Sequence, residues 1–561
     1  MKHTLALTFS TLVLFSCGAH QPDAQINSES RSQQPLVSEE KESDLATTIS
    51  VSQPAPKVKL QANKTQGLTA SAELMVLEDA SFAIIADPYY PTEENRENYA
   101  ETKISAIKQV LTNPVSTFST DVDTASYTNA RRFLTGGQLP PADAIRVEEF
   151  VNYFDYQLPS PKALDNPIAM QTELMQTPWN EHTQLLRVSL QAYRSNFEDL
   201  PPLNLVFLLD VSGSMNSPDK LQLMQRSFNL LVNQLREQDR VSIAVYAGAS
   251  GVVLEPTSGD NKAIILNAIN QLQAGGSTHG SAGIHLAYQL AEENFDPEGI
   301  NRVILGTDGD FNVGTTGIDS LKTLIEEKRE SGVMLNVLGF GTGNYNDYMM
   351  EEISNHGNGV AYYIDSYQEA RKIFSEQLPS TLQTVAKDVK IQVEFNPTQV
   401  AEYRLIGYDN RLLNREDFNN DKIDAGEMGS GHSVTALYEI VLADSEFRFS
   451  DPLRYQAEQQ ETNIQSDELA FVKVRYKLPE SSVSTLIDIP VSHQPNKKAS
   501  DAMLLSTAVA GFAEVLRNST YVNELSIKEL ESLLKPTLKQ DRWGYRQELL
   551  QLMKNAQALS Q

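Results

Sequence analysis

Between residues 203 and 384, short apolar runs alternate with segments of helical period, and this limits the possible fold more than any other feature. "LNLVFLLD" (203–210), "RVSIAVYAG" (240–248), "NRVILGTDGD" (301–310), "VMLNVLGFGTG" (333–343) and "GVAYYI" (359–364) read as strands. The first begins with five apolar residues after Asn204, the pattern of a strand covered on both faces. "GVVLEP" (251–256) reads as the second arm of a hairpin with the strand before it. Segments 220–235, 261–272, 281–295 and 318–332 carry apolar residues at helical spacing, the last stopped by Gly332. A short helix is expected near 346–354 and a last one to about 384. Such alternation predicts a doubly wound α/β domain with a mainly parallel sheet.

Open α/β sheets bind ligands at the carboxyl ends of their strands. Three loops should meet there. "DVSGSM" presents Asp210, Ser212 and Ser214; "GGSTHGSAG" (275–283) presents Thr278; "GTDGD" (306–310) presents Asp308. Two carboxylates and three hydroxyls make a hard, oxygen-only set suited to Mg²⁺ or Mn²⁺, whereas zinc and copper favour nitrogen or sulfur. The plainer reading of "DVSGSM" alone is a Ser/Gly turn capping a helix.

The three loops resemble the metal-ion-dependent adhesion site of von Willebrand factor type A domains: "DVSGSM" matches its D-x-S-x-S motif, and "GGSTHG" and "TDGD" its other two loops. The resemblance implies that Ser212, Ser214 and Thr278 bind the metal directly. Asp210 and Asp308 would bind it directly or through water. One coordination position would stay open for an Asp or Glu of a protein partner. "STFSTDVDTASYTNARRFLTGGQLPPADAIRVEEFVNYF" and "DKIDAGEMGSGHSVTALYEI" look like the flanks of bacterial type A domain lipoproteins. That resemblance gives 99–200 as an N-terminal von Willebrand-associated module, 203–384 as the type A domain and 385–561 as a C-terminal β-rich and helical domain.

In the flanks, 116–134 reads as a strand and a helix capped by Asp123 or Thr124, and 139–154 as a helix with Pro141 in its first turn. Segments 185–193, 389–395, 435–442 and 470–478 read as strands, and 500–518 and 542–559 as helices. The two ends of a doubly wound domain emerge close together, opposite the metal face. The flanking strands are therefore expected to pair into one β-rich body into which the α/β domain is inserted.

The N-terminus combines Lys2, an apolar stretch from Leu5 to Phe15 and "LFSCG". The stretch is too short for a membrane span and suits a signal peptide. The sequence around Cys17, the chain's only cysteine, resembles a lipobox, so 1–17 reads as a lipoprotein signal with Cys17 acylated. The alternative is an ordinary secretory signal. Residues 18–98 read as a tether; up to about residue 70 they lack any aromatic. A flexible segment of about 50 residues spans roughly 40 Å. Gly18 after the cysteine leans towards the outer membrane.

The formal net charge of −27 argues against nucleic acid. G-x-S-x-G, H-E-x-x-H and G-x-x-x-x-G-K-[ST] signatures are absent, which argues against an enzyme. "DFNNDKIDAGE" (417–427) resembles a Ca²⁺ loop, but Lys422 stands where the loop's Gly belongs and Met428 where its last acid belongs; a polar hairpin is the competing reading. Asp121 with Asp123 offers a second acidic pair, "GFGTG" (339–343) a rim loop, and His279 with His285 a poorly spaced zinc pair. The expected function is a lipid-anchored cell-envelope protein that binds a protein ligand through a divalent metal. A structural scaffold stiffened by its metal and a metal-dependent hydrolase are the alternatives.

Overall fold

The computed structural model describes residues 97, 99, 104–120, 123–278, 280–309, 318–343, 345–423, 425–451, 467–493 and 498–561. Cys17, the 18–96 part of the tether, Asp121, His279 and Asp310 lie outside them.

A six-stranded sheet runs in the order Ala361–Ile364, Met334–Phe340, Ile300–Thr307, Leu203–Asp210, Arg240–Tyr246, Ser250–Ser258. All neighbours are parallel except the last pair, the expected hairpin. Pleating sends Leu205, Phe207 and Leu209 to one face, against Phe228, Leu231 and Phe374. Val206 and Leu208 go to the other, against Ile284, Ala287 and Ile353. Helices cover both faces, and the fold is of the expected doubly wound α/β class.

The flanks form a sandwich. One sheet orders Lys108–Gln109, Val400–Ile406, Ser433–Leu442, Gln184–Ala192 and Ile168–Gln176. The other orders Met428–Gly429, Thr384–Phe395, Glu468–Lys477 and Thr485–Ser492, with Val115–Ser119 also paired to Thr384–Phe395. Leu186, Val188 and Leu190 of the first sheet share one core with Ile391, Val393 and Val472 of the second. Each sheet thus takes strands from both sides of the α/β domain, which is inserted between them.

The chain enters and leaves that domain at one end of its sheet. Leu203 opens the first strand, and Arg302 of the neighbouring strand donates from Nη2 to the carbonyl of Leu382 at 3.1 Å. Helices Ala125–Thr135, Val147–Asn152, Asp501–Leu516, Ile527–Leu534 and Tyr545–Leu559 build a third core beside the sandwich. Arg131 ties this layer to the α/β domain: it reaches Asp365 (2.5 Å), Glu369 (2.7 Å) and Glu548 (3.1 Å).

Several expectations change. The 139–154 helix is a 3₁₀ turn, Ala142–Ala144, and a short helix, Val147–Asn152, with Ile145 and Arg146 extended between them. Tertiary bonds replace the helical ones there: Ser126 Oγ donates to Ala144 O, and Arg146 N donates to Ser126 Oγ. Neither Asp123 nor Thr124 caps Ala125–Thr135 with its side chain; Asp123 instead accepts from the Ala361 amide at 3.0 Å. The last α/β helix is broken into Tyr367–Arg371, a π turn and Leu378–Leu382. Strands Ile168–Gln176, Val400–Ile406 and Thr485–Ser492 and helix Ile527–Leu534 add to the elements anticipated.

The 417–427 segment does not gather its acids. Asp417 accepts from Asn414 (2.9 Å), Asn419 from Arg475 (3.1 Å) and Asp421 from the Ser484 amide (3.4 Å), so hairpin-type contacts occupy the groups a Ca²⁺ loop would need. Asp424 lies outside the described residues.

Candidate functional site

The site grows from the end of the central strand. Leu203–Asp210 is buried along its whole length, so its last residue carries a carboxylate into a covered position. Asp210 Oδ1 accepts from the Ser212 amide at 2.8 Å. Its Oδ2 accepts from the Tyr246 hydroxyl (3.1 Å) and the Thr307 hydroxyl (3.3 Å). All three donors are neutral. Burial, the largest influence, raises the Asp210 carboxyl to about 6; the Ser212 bonds oppose this and the charge of Asp308 adds to it. A carboxylate held this way, with no cationic side chain in bonding reach among the described residues, favours an arriving cation.

Beyond Asp210 the chain turns sharply, which brings Ser212 Oγ to 3.1 Å from Ser214 Oγ. Ser212 is buried and Ser214 half-buried. The 275–278 loop is bound to this turn. Gly275 N donates to Val211 O (2.8 Å), and Gly213 N to Gly276 O (3.0 Å). Gly276 has φ +87°, and a Cβ there would come within 3.1 Å of Gly248 N, so glycine permits the close approach. Thr278 follows two residues later, half-buried.

Asp308 stands just past the end of strand Ile300–Thr307, buried, and accepts from Lys220 Nζ at 2.9 Å. The sequence reading did not include Lys220. It lies in the π turn Pro218–Gln222, and its stem packs against Gly341, where any side chain would overlap it. The "GFGTG" loop therefore sits on the rim of this end, with Thr342 Oγ1 donating to Asp219 at 3.4 Å. Tyr246 and Thr307 were also outside the sequence reading; each stands at or next to a strand end, where a polar residue closes an apolar run.

All five residues named from the sequence thus lie on three loops at the carboxyl end of the parallel strands. Hydrogen bonds join the Asp210 loop to the 275–278 loop, and Asp210 to the strand that carries Asp308. The donor set is oxygen throughout. Among the described residues no group of three or more His, Cys, Asp or Glu is arranged to hold a metal ion. His285 is exposed on its helix, and His279, the other half of the pair read from the sequence, lies outside the described residues.

This fold and these loops define a von Willebrand factor type A domain, and residues 204–376 match the family of that description. Residues 93–187 match a family described as von Willebrand factor, and 380–559 one described as Uncharacterized protein YfbK, C-terminal. The chain belongs to the same family as the Escherichia coli (strain K12) protein called Uncharacterized protein YfbK. It is 44% identical to that protein over 469 residues, covering 82% of this chain and 81% of the relative. The human inter-alpha-trypsin inhibitor heavy chain H2 is 26% identical over 203 residues, 35% of this chain and 21% of that one. The solved von Willebrand factor type A protein of Catenulispora acidiphila aligns at a TM-score of 0.38 with 14% identity, covering 67% of this chain and 88% of that one.

Proposed function

We propose that the protein binds a protein ligand through a divalent cation held at the carboxyl edge of its type A domain. Ser212, Ser214 and Thr278 would hold Mg²⁺ or Mn²⁺ directly, with Asp210 and Asp308 bound directly or through water. The cation supplies positive charge at which an Asp or Glu of the partner docks, and it offsets the repulsion expected from a chain of net charge −27. The carrying observation is Asp210: a buried carboxylate bonded only to neutral donors, beside two hydroxyls 3.1 Å apart. The surrounding rim, including the 341–343 loop, would set which partner is accepted. Cys17 would carry lipid and hold the protein at the cell envelope, with the outer membrane favoured.

Lys220 weighs against a purely structural metal. Its ammonium already neutralises Asp308, so the fold does not depend on a cation for that charge. Calorimetric titration of Mg²⁺ and Mn²⁺ into the metal-stripped protein tests the reading, with Asp210→Ala alongside. Saturable binding that the variant loses supports it; equal binding by the variant would reject the site. A carboxylate-bearing partner should then be retained only with the metal present.

A further inference from the structure

At the opposite end of the parallel strands from Asp210, a cavity of ≈ 770 Å³ opens where the α/β domain, the sandwich and the C-terminal helices meet. Its charge runs against that of the chain. The whole sequence has 46 Lys and Arg against 73 Asp and Glu, yet six Lys or Arg and four Asp or Glu line this space. Three of the cations are buried and come from different walls: Arg302 from a central strand, Lys372 from the π turn after Tyr367–Arg371, and Arg546 from the last helix.

None of these three forms an ion pair among the described residues. Arg302 donates to Asn336 Oδ1 (2.5 Å), to Leu382 O (3.1 Å) and towards Met334 Sδ (3.1 Å). Its Nε has no hydrogen-bond partner among the described residues. Lys372 donates to the Tyr153 carbonyl (2.8 Å), and Glu369, whose charge reaches it, is already bridged to Arg131 at 2.7 Å. Arg546 donates to the carbonyls of Thr537 (2.8 Å) and Asp155 (3.2 Å). Burial holds the Lys372 amine down to about 7 and the Arg302 guanidinium to about 10. Burying a cation without a counter-charge is costly, and buried charges are as a rule paired. Carboxylates act on them only from a distance, Glu369 and Glu376 on Lys372, Glu427 on Arg302, and Asp541 and Asp155 on Arg546, so three buried cations face one cavity with no carboxylate bonded directly to them among the described residues.

We propose that this cavity binds an organic polyanion of metabolite size, whose carboxylate or phosphate groups pair with Arg302, Lys372 and Arg546. The volume falls within the range of small-molecule sites. Tyr153 and Tyr545 offer apolar wall beside the charges, and at the mouth Trp543 lies under the guanidinium groups of Arg371 (5.3 Å) and Arg542 (4.6 Å). The site is separate from the cation edge, and its occupant would bear on all three bodies at once.

The test uses the full-length protein, stripped of metal on a chelating resin, at constant ionic strength. Citrate and pyrophosphate are titrated by calorimetry and by thermal unfolding, with chloride as the control. Citrate represents the carboxylate source and pyrophosphate the phosphate source. At least one should bind saturably and raise the melting temperature, and Arg302→Met and Lys372→Met should each weaken it roughly ten-fold or more. Without anion both variants should melt somewhat below the wild type, because Asn336 and the carbonyls of Leu382 and Tyr153 lose a donor, so the shift on adding anion, and not the starting melting temperature, is the readout. Binding of neither anion to the wild type, or equal binding to wild type and variants, would overturn the proposal. A melting temperature that falls in Arg302→Met, while no anion shifts the wild type, would make the guanidinium a strut for Asn336 and Leu382.

Discussion

Replacing Lys220 by methionine asks whether its ammonium stands in for a metal cation. Nζ lies 2.9 Å from Asp308 Oδ2, and the two side chains are 6% and 0% exposed. At that separation and an effective dielectric near 20, the gross attraction is about 6 kcal/mol. The variant no longer has to dehydrate the ammonium, so the net loss is smaller, about 3–5 kcal/mol, as when one partner of a buried pair is stranded. Methionine keeps most of the stem that packs on Gly341. A divalent cation beside Asp308 restores the missing charge, so bound metal should recover most of the loss. By linkage, saturating Mg²⁺ should then stabilise the variant more than the wild type by about 3 kcal/mol, equivalent to roughly 100-fold tighter binding. Urea unfolding with and without Mg²⁺ gives the stabilities, and calorimetry gives the affinities. Equal Mg²⁺ effects on the two proteins, or loss of Mg²⁺ binding in Lys220→Met, would refute the reasoning.

Arg404 is fully buried between Glu439 (3.1 Å) and Glu514 (3.4 Å), so Arg404→Met should cost about 3–5 kcal/mol in urea unfolding; a loss under about 1 kcal/mol would show that Arg517 and Thr183 suffice for the two acids. Adding Glu514→Gln to that variant should restore part of the loss, read from the same midpoints. His432 is half-buried on the cavity wall, and desolvation there lowers it to about 4, against 6.5 in the unfolded chain. It is neutral when folded, so its contribution is complete above pH 6.5 and is lost as pH falls through 4. The difference in unfolding free energy between wild type and His432→Gln should therefore shrink by up to about 3 kcal/mol between pH 7 and 4, and a difference independent of pH would contradict the burial argument.

The α/β body was legible because parallel strands covered on both faces must be apolar throughout, and Leu205 to Leu209 are. Asp210, Ser212, Ser214 and Asp308 stood out for the converse reason, as polar residues closing runs that had no need of them. Lys220 gave no such signal. A lysine after Pro218 and Asp219 reads as solvent-facing, and only the missing side chain at Gly341, over a hundred residues later, lets its stem pack inwards. Thr485–Ser492 was obscured by Pro490, which is tolerated because the strand lies at a sheet edge. Ile527–Leu534 did carry a readable mark, the capping box of Ser526 and Glu529. Arg302 carried no mark beyond its place near the start of the 301–310 strand, and in the fold it is covered by the 382 region, to which it donates a hydrogen bond.

The insertion also bears on the entropy of assembling the sandwich. Thr117 and Gln392 are hydrogen-bonded neighbours 275 residues apart in the chain, and closing so long a loop directly is slow and entropically costly. Much of the α/β domain's pairing joins segments closer in sequence, and once formed it holds residue 382 against the strand beside the one that begins at 203. The separation left to close is then the 118–202 segment plus about ten residues after 382, in place of the whole 275. Destabilising the α/β body should accordingly slow assembly of a sandwich whose own contacts are untouched.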